Sequence, residues 1–587
     1  MPRGYRSGGP PPRLLGRSNP PRGPGALWLT RIVTSSNESD VPGLTNVPAP
    51  TSVPVPTNVS GPTNVSGLLS AAAERTPDAV ALVEHRGGRH ERTWAELDAA
   101  ADAVARGLSG VGLRGGHRVA LVMANRIDLA VAYFGILRGG MVAVPVNPRS
   151  TEREIGRMLA DSGARVVLCD ETGIEQVRAA VAGLDHEGPG LTVVVDGTEP
   201  GPGEIAFERL LRDAPAVEPA APRDDEAPAV VLYTSGTSGK PRGAVLSHRA
   251  LLANVEQTAA VEPAIVTADD VVLGLLPMFH IYGLNAVLGQ AVRQGARVVM
   301  VDGFDPAGLL RTIRDEGVTN VALAPPVIAA WAGRSDLREH LGGVKHVLSG
   351  ASALDPELAA VFAESSGHHV EQGYGLTETA PVITATLASG RDVGVPPRPG
   401  SVGRALPGVE LRLVDAGGSD AAPGDPAEIW VRGANLFSGY WPDGSDGPRD
   451  DGWYPTGDIG YLDDEGDLTL VDRVRELVIV SGFNVYPAEV EAVVVELPEV
   501  SEVAVVGLPD ESTGEAVVAF VVPASSDVDA AALEASVVEH CSTRLARFKQ
   551  PRQVVVVEGL PHSATGKVAK GRLRALARSQ DLGLLAP

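Results

Sequence analysis

The sequence predicts an α/β protein in two parts: a large N-terminal domain of layered βαβ subdomains, then a small α+β domain. Three observations predict it. From about Leu68, apolar runs of strand length alternate with helical patterns, and near Asp472 that texture changes. The chain of 587 residues is 44% hydrophobic and 21% charged, enough for a large core and, at about 150 residues per domain, three or four domain-sized units. The expected limits are an extension over 1–66, a large domain over 67–472 and a small one over 473–587.

The extension differs in kind, with 13 of the 47 prolines, six arginines, and Glu38 and Asp40 as its acids. Pro56-Thr-Asn-Val-Ser-Gly61 is repeated as Pro62-Thr-Asn-Val-Ser-Gly67, an uncharged, proline-rich spacer of polyproline II character that is not expected to fold. Asn58 and Asn64 match the N-x-S acceptor pattern, which is common by chance and carries no weight here. Ala26–Leu29 is too short to be the core of a signal peptide.

In the large domain, Arg118–Met123 and Met141–Val146 read as buried parallel strands, and Ile127–Leu137 as the crossover helix between them. Thr151 followed by Glu154 is a capping box opening the next helix, and Arg165–Cys169 is another strand. Ala296–Val301 and Val318–Ala324 continue the series, which implies helices layered on sheets. Beyond Asp472, Pro487 with Glu489 and Glu491 opens a helix, because proline suits the first turn and acids its positive end. Val503–Val506, Ala516–Val522 and Gln553–Val557 are strands around a helix from about Asp529 to Leu545.

The balance of 50 basic against 73 acidic residues leaves a formal charge of −23, which repels phosphate backbones and argues against a nucleic-acid partner. Cys169 and Cys541, the two cysteines, build no disulfide framework or zinc site and suit a reducing, cytoplasmic setting. No apolar run reaches the roughly 18 residues a spanning helix requires. Peripheral contact with a membrane stays open, as does the oligomeric state.

The most informative segment is Tyr233-Thr-Ser-Gly-Thr-Ser-Gly-Lys-Pro-Arg-Gly243, entered by the apolar strand Ala229–Leu232. Gly236 and Gly239 let backbone N–H groups approach a polyphosphate, Thr234, Ser235, Thr237 and Ser238 add hydroxyl donors, and Lys240 adds charge. It is not a Walker A loop, because two residues separate the glycines and Pro241 stands where a magnesium-binding Ser or Thr belongs. Glu378, in an otherwise uncharged turn, is a hard oxygen ligand suited to Mg²⁺, which takes few carboxylates plus nucleotide phosphates.

Tyr233–Gly243 resembles the phosphate-binding signature of the adenylate-forming superfamily, which includes acyl-CoA synthetases, luciferases and nonribosomal adenylation domains. Tyr374-Gly-Leu-Thr-Glu-Thr379, Tyr454-Pro-Thr-Gly-Asp458, Asp472-Arg-Val-Arg-Glu-Leu477 with Ser481-Gly-Phe-Asn-Val-Tyr-Pro487, and Ser563-Ala-Thr-Gly-Lys567 are similar to its later motifs, in order. The resemblance spans Leu68 to the C-terminus and is closest to the acyl-CoA synthetase, or fatty acid–CoA ligase, type. It implies that Thr377 meets the α-phosphate of ATP, that Gly350, Ala351 and Ser352 with Glu371, Gly373, Tyr374 and Gly375 form the adenine pocket, and that Glu378 holds Mg²⁺. Asp458 would accept from both ribose hydroxyls, with Arg473 on the ribose and phosphate side. Lys567 would serve adenylation, and His280, in Pro277-Met-Phe-His-Ile-Tyr-Gly283, would gate the acyl and pyrophosphate sites.

The same resemblance implies a mobile C-terminal domain. It swings about a hinge beside Asp472–Arg475, withdrawing Lys567 and bringing Ser481, Gly482 and Phe483 against the pantetheine of CoA. Arg475 stands where the family commonly has Asp or Lys. The implied reaction activates a carboxylic acid to acyl-AMP and passes the acyl group to CoA. Medium- or long-chain fatty acids are the expected substrates, with aryl acids such as cinnamates, or loading of a separate carrier protein, as alternatives. A non-catalytic nucleotide-binding protein is a further alternative, opposed by the intact Lys567, Glu378 and Asp458.

Overall fold

The computed structural model describes residues 62–578, apart from 185–190, 215–223, 235–240, 351–353, 391–394, 416, 423, 474–475, 481–482, 511–512, 546 and 563–566. The expected extension therefore lies outside the described residues up to position 61. Its last residues belong to the fold: Asn64, Val65 and Ser66 are buried, and helix Ser66–Arg75 begins there. The Asn64 amide donates to Leu137 O at 3.0 Å and its Oδ1 accepts from the backbone and hydroxyl of Ser66, both at 2.8 Å. The backbone N–H of Val65 donates to Nδ1 of the buried His248 at 3.2 Å. Composition could not reveal this, because the partners of Asn64 and Val65 lie 73 and 183 residues away in the chain.

Among the described residues, a seven-stranded sheet runs in the order Ile205–Ala206, Thr192–Asp196, Val166–Asp170, Arg118–Val122, Val142–Pro145, Pro228–Thr234, Arg242–Ser247. All its pairs are parallel but the last, which is an antiparallel hairpin. The helix Ile127–Arg138 makes the expected crossover, and Thr151 and Glu154 form both halves of the capping box before helix Glu152–Ser162.

A second sheet of thirteen strands starts at the edge strand Arg89–Thr93, which is antiparallel to Val80–His85, and is then parallel from Val80–His85 through Arg297–Met300, Val271–Gly274, Asn320–Leu323, His346–Ser349 and Val370–Gly375. It then turns antiparallel through Val382–Ala385, Ser401–Ala405, Leu468–Arg473, Tyr454–Leu462, Ala427–Gly433 and Val409–Val414. This antiparallel half is a departure from uniform βαβ layering. Its strands alternate, as Ala427–Gly433 does with every second residue buried, so no long apolar run announces them.

Period-two alternation sets the layers. Leu82, Val298, Met300, Val119, Leu121 and Ala143 face one core shared by both sheets, together with helices Ile127–Arg138, His248–Ala259 and the segment Tyr282–Gly289. Val83, Leu273, Val299 and Val321 face outward against helices Pro306–Asp315 and Pro325–Trp331, while Ala120, Val122, Val142 and Val167 face helices Glu152–Ser162 and Ile174–Ala182.

The small domain is a five-stranded sheet built on the long hairpin Val500–Asp510 and Gly514–Pro523; the second of these strands also pairs in parallel with Gln553–Val556 and, at Gly514, antiparallel with Val478–Val480, which is followed by Phe483–Val485. Helices Pro487–Val494 and Ala530–Arg544 cover one face; Asp529 caps the second, accepting from Ala532 N at 3.1 Å. Helix Lys570–Arg578, which the sequence did not announce, covers the other face through Leu573 and Ala577.

Asn64→Ala removes the buried side-chain hydrogen bonds to Leu137 O, Ser66 and His248. It should lower the unfolding free energy by about 1–3 kcal/mol, measured by urea denaturation, with no change in nucleotide affinity.

Candidate active site

The site lies where the large sheet changes from parallel to antiparallel. Strand Val370–Gly375 is the last parallel strand and pairs antiparallel with Val382–Ala385. Between them, Thr377–Thr379 forms a single 3₁₀ turn that presents Thr377 and Glu378, both half-buried. Gly375 is required there, since a Cβ would sit 1.8 Å from Pro381 O. Three buried asparagines hold the backbone beyond the turn. Asn435, Asn285 and Asn254 donate to the carbonyls of Thr379, Ala380 and Val382, each at 2.7 Å. A fourth, Asn125, donates to the carbonyls of Gly274, Leu275 and Leu276 and accepts from Met278 N at 2.9 Å, which sets the loop leading to His280.

The two sheets are joined at this turn. Phe437 N donates to Glu378 O at 2.9 Å, and the following residues pair with the edge strand Arg242–Ser247, through Ser438 N to Val245 O and Trp441 N to Gly243 O. Tyr440 is thereby brought onto Glu378, its hydroxyl donating to Oε1 of the carboxylate. Tyr454 bonds to Tyr440, and burial, then the Glu378 charge, hold both phenols protonated far above their usual range. The Arg242 guanidinium stacks 3.7 Å over the Tyr440 ring and pairs with Asp446 at 2.7 Å. Sequence reading missed Tyr440 and Arg242; the aromatic, glycine-bearing stretch Phe437-Ser-Gly-Tyr-Trp441 was the available signal.

Of the expected nucleotide residues, Tyr374 and Asp458 meet: the phenol donates to Oδ2 at 2.8 Å, and both side chains are buried. Asp458 is held by its own N–H donating to Thr456 Oγ1 at 3.1 Å and stands opposite Arg473 in the antiparallel ladder. Glu371 accepts from Thr386 Oγ1, which itself accepts from Gln372 N. Gly373 pairs with Ala385 on the neighbouring strand. Gly350 lies against the Tyr282 ring, where a Cβ would come within 2.8 Å. Thr234 ends the strand that enters the phosphate loop and faces Arg242 across the hairpin. Ser235, Gly236, Thr237, Ser238, Gly239, Lys240, Ala351, Ser352, Ser481 and Gly482 lie outside the described residues, and Phe483 begins strand Phe483–Val485. The loop 235–240 thus joins two antiparallel strands, unlike a Walker A loop, which opens a helix.

His280 precedes a segment wound with i→i+5 hydrogen bonds, Tyr282–Gly289, a geometry frequent at functional sites. Its Nδ1 accepts from Tyr282 N at 3.3 Å, so the ring is neutral with its proton on Nε2. Burial first, and then the ammonium of Lys567, bring its pKa from the usual 6.5 down to about 4. Lys567 lies on the small domain and His280 on the large one, 287 positions earlier in the chain.

The residues present fit a magnesium ion. Among the described residues no group of three or more His, Cys, Asp or Glu side chains converges as a metal cage. Glu378, oriented by Tyr440 at the turn, offers one hard carboxylate, of the kind that Mg²⁺ takes together with nucleotide phosphates. Because a neighbouring cation disfavours imidazolium, Lys567→Ala should raise the His280 pKa toward 6.5; NMR titration of the ring measures it, and the wild-type ring should stay neutral down to about pH 4.

The AMP-binding enzyme family matches residues 69–441, and its C-terminal domain matches residues 489–567. A 4-coumarate–CoA ligase-like protein of Oryza sativa subsp. japonica is 36% identical over 86% of this chain and 90% of its own. A long-chain-fatty-acid–CoA ligase of Escherichia coli O157:H7 is 33% identical over 80% of this chain and 87% of its own. The crystal structure of ATP-bound MatB from Rhodopseudomonas palustris superposes with a TM-score of 0.77 at 31% identity, covering 88% of this chain and 99% of that one. No helix among the described residues is long and apolar enough to cross a membrane. The chain belongs to the AMP-binding enzyme family and is an adenylate-forming, AMP-producing acid–thiol ligase of the acyl-CoA synthetase type.

Proposed function

We propose that this ligase activates medium- or long-chain fatty acids, with Lys567 as the adenylation cation. The observation that supports this reading is that Thr377 and Glu378 share one turn, with Tyr440 bonded to the Glu378 carboxylate, at the end of the strand whose Tyr374 is bonded to Asp458. The acid's carboxylate attacks the α-phosphorus of ATP in line. The bond to the bridging oxygen breaks, and pyrophosphate leaves onto Thr234, Ser235, Gly236, Thr237, Ser238, Gly239 and Lys240. Lys567 offsets charge growing on the α-phosphoryl and bridging oxygens, the electrostatic contribution that is usually largest.

Thr377 donates to the α-phosphate, Asp458 accepts from the ribose hydroxyls alongside Arg473, and Gly350–Ser352 with Glu371–Gly375 flank the adenine. Glu378 would hold Mg²⁺, which supplies charge neutralisation of the phosphates. His280 serves as a neutral Nε2–H donor and gate; a carboxylate substrate is already ionised near neutrality and needs no general base. In the second step the CoA thiol, titrating near ~8.5, attacks the acyl carbonyl and AMP leaves, with Ser481, Gly482 and Phe483 beside the pantetheine. A cytoplasmic location is supported by both cysteines being buried free thiols.

The acyl assignment is supported by partly buried apolar side chains that follow His280 or flank the turn: Tyr282, Leu376 and Val382. Burying each CH₂ there contributes about 0.8 kcal/mol. An aryl acid is the second reading, supported by the similarity to a 4-coumarate–CoA ligase-like protein and by the Tyr282 ring packed beside Gly350.

Pyrophosphate release across a panel of straight-chain acids and cinnamates, with and without CoA, tests the substrate. AMP and no ADP is expected, with kcat/KM rising roughly fourfold per added methylene until the pocket is full; preference for cinnamates would establish the aryl reading instead. Lys567→Ala should lose adenylation by several orders of magnitude yet convert supplied acyl-AMP to thioester at the wild-type rate, and equal loss of both half-reactions would refute its assigned role.

A further inference from the structure

The loop carrying Lys567 is pinned at its base. His562 and Val568 pair across it, and Ala569 N donates to Pro561 O at 2.7 Å. Three residues beyond Lys567, Lys570 opens the helix Lys570–Arg578. A cation is disfavoured by the positive end of a helix, so the helix itself gives no reason for a lysine there. Its side chain is nonetheless only 12% exposed, turned inward onto two carboxylates. The ammonium lies 2.8 Å from Glu491 Oε1 and 3.1 Å from Glu476 Oε2.

Those two acids belong to different parts of the small domain. Glu491 sits on helix Pro487–Val494 and its Oε1 also accepts from Val505 N at 2.6 Å, in the central hairpin of the sheet. Glu476 lies in the connector between strand Leu468–Arg473, the last of the large sheet in chain order, and strand Val478–Val480, the first of the small one. One ammonium thus ties the Lys567 loop, the body of the small domain and the connector from the large domain.

We propose that Lys570 is a positioning residue for adenylation: by joining Glu476 and Glu491 it locks the Lys567 loop to the connector, so that the seating of the small domain and the aim of the Lys567 ammonium are set together. The proposal rests on the reading of Lys567 as the adenylation cation. Without the ammonium, two carboxylates are left facing one partly buried space, where an uncompensated charge is costly. The connector and the loop base then separate, and Lys567 loses its alignment. A displacement on the order of 1 Å at a reacting centre can cost about 100-fold in rate. The thioester step, which does not use Lys567, is untouched.

The full-length chain carrying Lys570→Met, which keeps the aliphatic stem, tests this beside Lys570→Arg, Lys567→Ala and the Lys567→Ala/Lys570→Met double variant. ATP–pyrophosphate exchange reads adenylation, conversion of supplied acyl-AMP with CoA reads thioester formation, and NMR reads the His280 titration. Lys570→Met should lower adenylation by about 10- to 100-fold, leave thioester formation within roughly twofold, and raise the His280 pKa as Lys567→Ala does. Lys570→Arg should restore most of the loss, and the double variant should adenylate no more slowly than Lys567→Ala alone.

Glu476→Gln, which keeps the pair with Glu491, should give a smaller loss in the same half-reaction. Equal loss of both half-reactions, unchanged adenylation, or multiplying losses in the double variant would overturn the positioning role. Full adenylation by Lys567→Ala would overturn the reading beneath it, whereas an impaired Lys567→Ala with an unimpaired Lys570→Met would overturn the Lys570 proposal alone.

Discussion

A buried hydrogen bond of 2.8 Å, from the Tyr374 hydroxyl to Asp458, joins the last parallel strand of the large sheet to the ribbon that leads into the small domain. Everything at the site is placed relative to that tie. On one side of it, strand Val370–Gly375 runs into the turn bearing Thr377 and Glu378. On the other, Asp458 faces Arg473, where the large sheet gives way to the connector and the small domain. The change from parallel to antiparallel pairing makes this geometry possible, because an antiparallel ribbon can return to the carboxyl end of a parallel strand without a crossover helix.

Around the tie, polar groups are arranged so that charge sits on few atoms. Four buried asparagines absorb the carbonyls of irregular backbone that would otherwise lie unpaired away from water. Two phenols and a stacked guanidinium surround the Glu378 carboxylate. His280 is kept neutral by burial and by Lys567.

Much of the framework was legible. The crossover Ile127–Arg138, the Thr151 capping box, the Asp529 cap and strand Gln553–Val556 fall where apolar period and capping chemistry put them, within a residue or two. Strands such as Val409–Val414 and Ala427–Gly433 were not legible, because a half-exposed antiparallel strand alternates polar and apolar residues and resembles loop sequence. Asn64 was read as part of a spacer, although it is bonded to Leu137 O in the core. Lys570 drew no reading from the sequence, although it is turned inward onto Glu476 and Glu491.

The sequence by itself determined the chemical inventory and its order: the hydroxyl- and glycine-rich loop, the Thr377–Glu378 turn, Asp458 and the lysine near the C-terminus. These are local, since a motif carries its own backbone requirements within a few residues. Tertiary structure alone decided that Tyr440 orients Glu378, that Lys570 joins two distant glutamates, and that the His280 ring is uncharged. Desolvation and Coulomb interaction depend on distance in space, and the groups concerned lie tens to hundreds of positions apart along the chain.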